Sequence, residues 1–263
     1  MKTAVIVQAR LGSSRLPAKV LLPLPTGRTV LEEVLFRCKQ ISGVDVVVAA
    51  IPDTAENDIV FAVADGHMRQ HGGWIVRGPE HDVLARYAKA AEAVGADTVM
   101  RVTSDCPLID PVVCGQVLEA YRAARDVHGN VEYCSNSIEN RRTYPQGFDC
   151  EVFSRDVLDL ANRKVLPYSQ KVDPVAVERE AWRRGLVYVP MDVENVNAAA
   201  NDREHVTPWI IRNAEYRWIV MPNGEDRSHL RWTLDTLADY VHIWRIFEDQ
   251  LLMGIGPGPV EAA

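Results

Sequence analysis

Residues 4–24 read AVIVQARLGSSRLPAKVLLPL, and this stretch decides how the rest of the chain is arranged. Ala4, Val5, Ile6 and Val7 form a short apolar run with β-branched side chains, the pattern of a strand buried in a parallel sheet. The run passes directly into Gln8, Ala9, Arg10, Leu11, Gly12, Ser13, Ser14 and Arg15. A buried strand that ends in a polar loop marks the ligand-binding edge of an open α/β sheet. Gly12 admits backbone geometry that a Cβ would block, and Ser13 and Ser14 add hydroxyls beside backbone N–H donors. Arg10, Arg15 and Lys19 bring three cations to one loop. Such a loop suits a polyphosphate; the competing reading is a solvated turn whose cations merely cluster. No GxxxxGK[ST] is present and no GxGxxG follows the strand, so neither a P-loop ATPase nor a nicotinamide enzyme is indicated.

Outward from this loop, strand-like runs recur at 44–50, 74–76, 98–102 and 132–134. Segments of helical periodicity separate them, at 30–40, 55–71, 83–94 and 112–125. The alternation predicts βαβ crossovers and an α/β, Rossmann-like fold: a mostly parallel sheet with flanking helices and a small insertion. Past Asn136 the rhythm changes to a polar stretch at 137–146, a strand at 147–153 and a helix at 156–163. Pro167, Pro174 and Pro190 interrupt residues 164–201, which read as an insertion carrying a charged helix at 174–184. A helix at 204–213, a strand at 217–221, a strand-like run at 231–235 and an amphipathic closing helix at 236–251 complete the pattern. The tail 254–263, with alternating Gly and Pro, is expected to be loose. A chain of 263 residues can bury one substantial core, so a single domain over 1–263 is expected.

The composition, 47% hydrophobic and 25% charged, contains no apolar stretch near the ~20 residues of a membrane span. Only Met1, Lys2 and Thr3 precede the first strand, so no secretory signal and a cytoplasmic location are expected. A net charge of −7 argues against general nucleic-acid binding, which draws on basic surface. A cationic loop in an acidic chain favours a small anionic ligand instead. Cys38, Cys106, Cys114, Cys134 and Cys150 are odd in number without a CxxC pair, which fits reduced core thiols. The seven histidines lack zinc-ligand spacing.

Two further strings end apolar runs on acids. Residues 101–110 read RVTSDCPLID, and residues 231–236 read RWTLDT. Asp110 reads as the cap of a helix beginning at Pro111. On its own Asp235 reads as the cap of the helix that follows it, and Asp105 less so; the recurrence of the context gives both a second reading as site acids.

The strings RLGSSRLPAK (10–19), RGPEHDVLAR (77–86), SDCPLID (104–110), YPQGFDCE (144–151), DREHVTP (202–208) and LDTLADY (234–240) together resemble the CMP-sugar synthetases. These cytidylyltransferases activate acidic sugars such as 3-deoxy-manno-octulosonate and sialic acids. The match is best to the branch named for spore coat polysaccharide biosynthesis, and it covers nearly the whole chain. The resemblance implies a nucleotide-diphospho-sugar transferase fold and transfer of CMP from CTP to a sugar, with pyrophosphate released, for surface polysaccharide or glycan assembly. It implies CTP and a sugar acceptor as partners, no nucleic acid or membrane, and a homodimer built through a subregion at 137–213.

Carried over by motif, Lys19, Asp105 and Asp235 are the catalytic residues, with Asp105 and Asp235 holding Mg²⁺. Nucleotide binding falls to Gln8, Ala9, Arg10, Gly12, Ser13, Ser14, Arg15, Lys19, Arg77, Gly78 and Asp82. Sugar binding falls to Tyr144, Gln146, Asp149 and Glu151, for which buried polar strand positions are the competing reading. Asp82 also reads as the cap of the helix at Val83, His81 as an ordinary loop histidine, and Asp239 as solvent-facing. The connection 164–201 is longer than the branch pattern. Two other functions compete: a glycosyltransferase using a nucleotide sugar, and a non-catalytic nucleotide-binding scaffold. The first usually places a DxD pair after a strand, whereas Cys106 and Pro107 follow Asp105.

Overall fold

The computed structural model describes residues 1–129, 131–137, 141–165, 193–213, 218–220 and 224–253. Seven strands form one sheet: β1 (Thr3–Gln8), β2 (Val46–Pro52), β3 (Trp74–Gly78), β4 (Thr98–Thr103), β5 (Tyr133–Ser135), β6 (Glu151–Ser154) and β7 (Trp218–Val220). Their order is β3-β2-β1-β4-β6-β5-β7. β1 pairs in parallel with both β2 and β4, and β2 pairs in parallel with β3. β6 runs antiparallel between β4 and β5, and β7 is parallel to β5. This is the mostly parallel, Rossmann-like α/β sheet that the alternating pattern predicts. Strand order turns outward in both directions from β1, so a crevice opens at the carboxyl ends of β1 and β4.

Eight α-helices are described: α1 (Val30–Cys38), α2 (Asp58–His71), α3 (Val83–Val94), α4 (Pro111–His128), α5 (Arg155–Lys164), α6 (Val193–His205), α7 (Pro208–Asn213) and α8 (Leu237–Leu252). Alternate residues of β1 divide the core. Val5 and Val7 pack with α1, α2 and α4, through Leu31, Leu35, Val60, Ala64, Val117 and Leu118. Ala4 and Ile6 pack with α3, α5, α6 and α7, through Leu84, Tyr87, Leu158, Ala199 and Ile210. This period-two division is what a strand covered on both faces requires. A third apolar cluster joins Leu24, Val30, Leu108, Tyr144, Phe148, Trp232 and Leu234 to Ile243 and Phe247 of α8. All five cysteines are buried and free, as expected of core thiols. Among the described residues no helix is long and apolar enough to cross a membrane.

Several expected elements take other forms. The strand foreseen at 147–153 begins only at Glu151, because Gly147 adopts φ +106° and turns the chain against Trp232. The run 231–235 makes one isolated bridge, Gln146 to Arg231, in place of a strand. Residues 55–57 form a separate 3-10 turn before α2. The helix foreseen at 204–213 is two helices, broken at Val206, a buried β-branched residue held at φ +71°. That conformation is strained for a side chain branched at Cβ. The helix foreseen at 174–184, most of the 164–201 connection and the tail lie outside the described residues.

Candidate functional site

The loop after β1 is tied down from both ends. Ala9 N–H donates to Ala50 O at 3.1 Å, Leu11 N–H to the fully buried Asn57 Oδ1 at 2.8 Å, and Ala18 N–H to Leu11 O at 3.2 Å. Ala18, at φ 56°, then turns the chain into a short 3-10 turn, Lys19–Leu21. The left-handed conformation thus falls on Ala18. A Cβ on Gly12 would meet only Glu80 Oε1, at 3.8 Å, so this glycine is not forced by the protein's own packing and leaves open room in the loop.

Lys19 joins three distant parts of the chain. Its Nζ donates to Asp105 Oδ2 at 2.8 Å, to Asp235 Oδ1 at 2.9 Å and to Leu234 O at 2.7 Å. The Asp105 turn and the 234 segment are also stitched directly, Leu234 N–H donating to Asp105 O at 2.8 Å. Burial alone would lower the Lys19 pKa, but Asp105 and then Asp235 outweigh it and raise it. Burial likewise opposes ionisation of Asp235, yet Lys19, Arg231 and Arg15 hold its pKa below the ordinary carboxylate value. Arg15 Nη2 lies 2.8 Å from Asp235 Oδ1, and Arg231 Nη2 donates to Asp235 Oδ2 at 2.6 Å.

Asp235 is not the cap of α8. Thr236 is, its hydroxyl accepting from Asp239 N–H at 3.2 Å. Asp239, expected to face solvent, folds its carboxylate back to accept from the N–H of Thr236 at 2.8 Å and of Asp235 at 3.0 Å. This capping box satisfies the first turn of α8 and leaves the Asp235 carboxylate to the cations. Asp110, by contrast, caps α4 as expected, accepting from Val112 N–H at 2.7 Å and Val113 N–H at 3.2 Å. The buried Cys106 thiol, next to Asp105, is pushed up by burial and that carboxylate, which keeps it neutral.

A cleft of about 380 Å³ opens here. Gln8, Ala9, Arg10, Gly12, Ser13, Ser14, Arg15, Lys19, Asp105 and Asp235 line it, together with Val20, Val83, Arg86, Arg101, Thr103, Ser104, Glu204 and His205. Arg10 reaches across to Glu204 at the end of α6, Nη2 to Oε1 at 3.7 Å. Arg86, Arg101, Thr103, Ser104, Glu204 and His205 were not singled out from sequence. Arg86 and Arg101 sit within helical and strand patterns, where a buried cation leaves no periodic signal. The strain at Val206, which ends α6 at the cleft, is likewise invisible in sequence.

Among the described residues no group of three or more His, Cys, Asp and Glu side chains forms a metal cage. Asp105 and Asp235 nevertheless bring two carboxylates to one point, because both contact the same ammonium nitrogen.

Other expected site residues lie elsewhere. Arg77 spends its guanidinium on Pro52 O at 3.0 Å, Thr54 O at 2.8 Å and Asp58 Oδ1 at 2.6 Å, and does not line the cleft. Gly78 supports Arg86: a Cβ would sit 3.3 Å from Arg86 Cγ. Asp82 caps α3, accepting from Ala85 N–H at 2.9 Å, and lies 3.4 Å from Arg203 Nη1.

None of the four expected sugar contacts lines the cleft. Tyr144 is buried in the third apolar cluster. Gln146 Oε1 accepts from Arg231 Nη1 at 2.8 Å, which connects it to Asp235 through one guanidinium. Asp149 is bound by both terminal nitrogens of Arg142, and burial raises its pKa against that pairing. The buried Glu151 carboxylate pairs with Arg101 and accepts from Tyr133 Oη at 2.6 Å and Thr207 Oγ1 at 2.7 Å. These contacts hold Arg101 in place at the wall of the cleft.

Comparison with known proteins places the chain in a family. The spore coat polysaccharide biosynthesis protein SpsF of Bacillus subtilis is 28% identical over 251 residues, 92% of this chain and 85% of that protein. A 3-deoxy-manno-octulosonate cytidylyltransferase of Hydrogenovibrio crunogenus is 30% identical over 144 residues, about half of each chain (53% and 54%). The solved structure of a cytidylyltransferase from Leptospira borgpetersenii superposes with a TM-score of 0.73 at 26% identity, covering 95% of this chain and 87% of that one. The cytidylyltransferase family pattern matches residues 4–247, from the first residues of β1 into α8 and through every segment that meets at Lys19. The chain therefore belongs to the cytidylyltransferase family.

Proposed function

We propose that this protein is a Mg²⁺-dependent CMP-sugar synthetase, transferring CMP from CTP to an acidic sugar for surface polysaccharide or glycan assembly. The observation that carries this reading is the meeting of Asp105 and Asp235 on Lys19 at the mouth of a cationic loop. A sugar hydroxyl oxygen forms a bond to the α-phosphorus as the bond from that phosphorus to the bridging oxygen breaks. Pyrophosphate leaves, and the hydroxyl proton passes to solvent.

Negative charge grows on the transferred and leaving groups in such a reaction. Arg10 and Arg15, with side chains 43% and 62% exposed, are free to swing onto a triphosphate. Lys19 is already fixed by its three acceptors, so its charge needs little reorganisation to act. Asp105 and Asp235 would hold Mg²⁺, which binds through one or two carboxylates plus phosphate oxygens. When bound, the ion neutralises phosphate charge and lowers the pKa of a coordinated hydroxyl. Ser13 and Ser14 offer hydroxyls to the phosphates, and Gly12 leaves space for them. The test is pyrophosphate release with CTP, Mg²⁺ and a panel of acidic sugars. Turnover with at least one supports the reading; persistent CTP binding with no turnover on any acidic sugar counts against it.

A further inference from the structure

Arg86 lies in the first turns of α3 and is 1% exposed. Its Nη1 donates to two backbone carbonyls, Pro79 O at 2.7 Å and Glu80 O at 3.2 Å. No carboxylate lies within ion-pair distance of it among the described residues. Fully buried arginines are almost always paired, because an unpaired charge in a low-dielectric site is costly. The other cations of the cleft each face an acid: Arg10 faces Glu204, Arg15 and Lys19 face Asp235, and Arg101 faces Glu151. Burial pulls the Arg86 pKa down to about 10; Arg10 pulls the same way, against Tyr87, Glu80 and Asp53.

A second observation points to a ligand at the same wall. Four buried side-chain polar atoms lack a hydrogen-bond partner among the described residues: Gln8 Oε1, Arg37 Nη2, Arg86 Nε and Arg101 Nε. Three of these four belong to residues lining the cleft. Ile6 and Arg101 are register partners on adjacent strands, and Gln8 follows Ile6 by two, so Gln8 and Arg101 project on the face that α3 covers. Unsatisfied buried groups are few in native proteins, and three on one wall of a cleft call for a partner that the described residues do not supply. Of the three, only Arg86 carries a charge that the protein leaves unneutralised.

We propose that Arg86 is an oxyanion-binding residue of this cleft, its guanidinium donating to either a phosphate of the nucleotide or a carboxylate of the acceptor. The inference rests on the synthetase reading and adds to it a specificity residue outside the first loop. Gly78 belongs to the same device, since its missing Cβ gives the Arg86 stem the space to reach the wall.

Calorimetry on wild type, Arg86→Gln and Arg86→Lys tests it. The ligands are cytidine, CTP and, with CDP bound as a dead-end nucleotide, a panel of anionic and neutral sugars including 3-deoxy-manno-octulosonate. A phosphate source is shown if Arg86→Gln weakens CTP about tenfold or more while leaving cytidine unchanged. A carboxylate source is shown if CTP is unchanged and an anionic sugar is weakened by a similar factor, with neutral sugars unaffected. Arg86→Lys should fall between, having charge without the fork. Equal affinities for every ligand in wild type and Arg86→Gln overturn the inference. Absence of CTP binding in wild type would instead sink the synthetase reading. Should both variants fail to fold, the Arg86 Nε–H resonance of the wild-type protein decides: movement on adding CTP or an anionic sugar supports the proposal, and a signal unmoved by all of them refutes it.

Discussion

Replacing Lys19 with methionine should expose how much of the site is held by one ammonium group. Nζ lies 2.8 Å from an Asp105 oxygen and 2.9 Å from an Asp235 oxygen, with side-chain exposures of 12% for Lys19, 26% for Asp105 and 10% for Asp235. Unit charges at such distances attract by about 6 kcal/mol each at an effective dielectric near 20, much of it offset by desolvation of the ions. Removing one partner of a buried pair costs about 3–5 kcal/mol. Here Asp235 keeps Arg15 and Arg231, and Asp105 retains some solvent, so the expected loss is about 2–3 kcal/mol. For a chain of this size that lowers the melting temperature by roughly 5–10 °C.

The pH dependence follows from the two displaced pKa values. Asp235 titrates below the ordinary carboxylate, so its stabilisation is present above about pH 4 and vanishes as pH falls through the lower folded value. Lys19 titrates above its ordinary 10.5, so its stabilisation is full below that value and vanishes as pH rises through the folded one. The gap between wild type and Lys19→Met should therefore be flat from about pH 5 to 9 and narrow on both sides. Turnover, followed by pyrophosphate release, should drop about 10²- to 10³-fold, the scale of losing one preorganised charge donor. A variant that melts within about 1 °C of wild type and keeps more than about a tenth of the turnover would refute the clasp as described.

Other substitutions probe separate parts of the site. Asp105→Asn and Asp235→Asn should each reduce turnover at least about 100-fold while circular dichroism still reports a folded chain; a near-normal rate in either removes that residue from the metal role. Gly147→Ala places a Cβ 2.7 Å from the Trp232 backbone at φ +106°, and should cost about 2–4 kcal/mol in urea unfolding. Arg77→Gln should lose about 1–2 kcal/mol of stability with CTP affinity within about twofold of wild type; a tenfold loss of CTP affinity would return Arg77 to the nucleotide site.

The sheet and its crossover helices were legible because a strand buried on both faces and an amphipathic helix each impose a period on the sequence. The first loop was legible through its place after a buried strand and the order of its motif, since three clustered cations alone also fit a solvated turn. Asp105 and Asp235 could be paired only through repeated context, and the stronger argument, that Thr236 and Asp239 relieve Asp235 of capping, needs coordinates. The three acceptors of Arg77, Pro52, Thr54 and Asp58, come from a neighbouring strand end and turn that sequence order does not relate to it. Nor does sequence order show that Arg101, Tyr133 and Thr207 surround the Glu151 carboxylate. The break was marked by Pro208, which opens α7 and disfavours helix just before it, whereas the left-handed conformation of Val206 itself leaves no sequence signal.

The Lys19 to Asp235 contact spans 216 positions of chain. Bringing such remote ends together in an otherwise open loop costs roughly 5 kcal/mol of chain entropy, so the knot cannot form early by itself and must wait for the sheet to shorten the loop. During synthesis, β1 through β4 emerge long before Leu234 and Asp235 leave the ribosome. The nascent protein therefore carries a finished loop after β1 while the acid pair on Lys19 is still unfinished. The acid pair closes only when Leu234, Asp235 and α8 dock onto a sheet whose first four strands are already made.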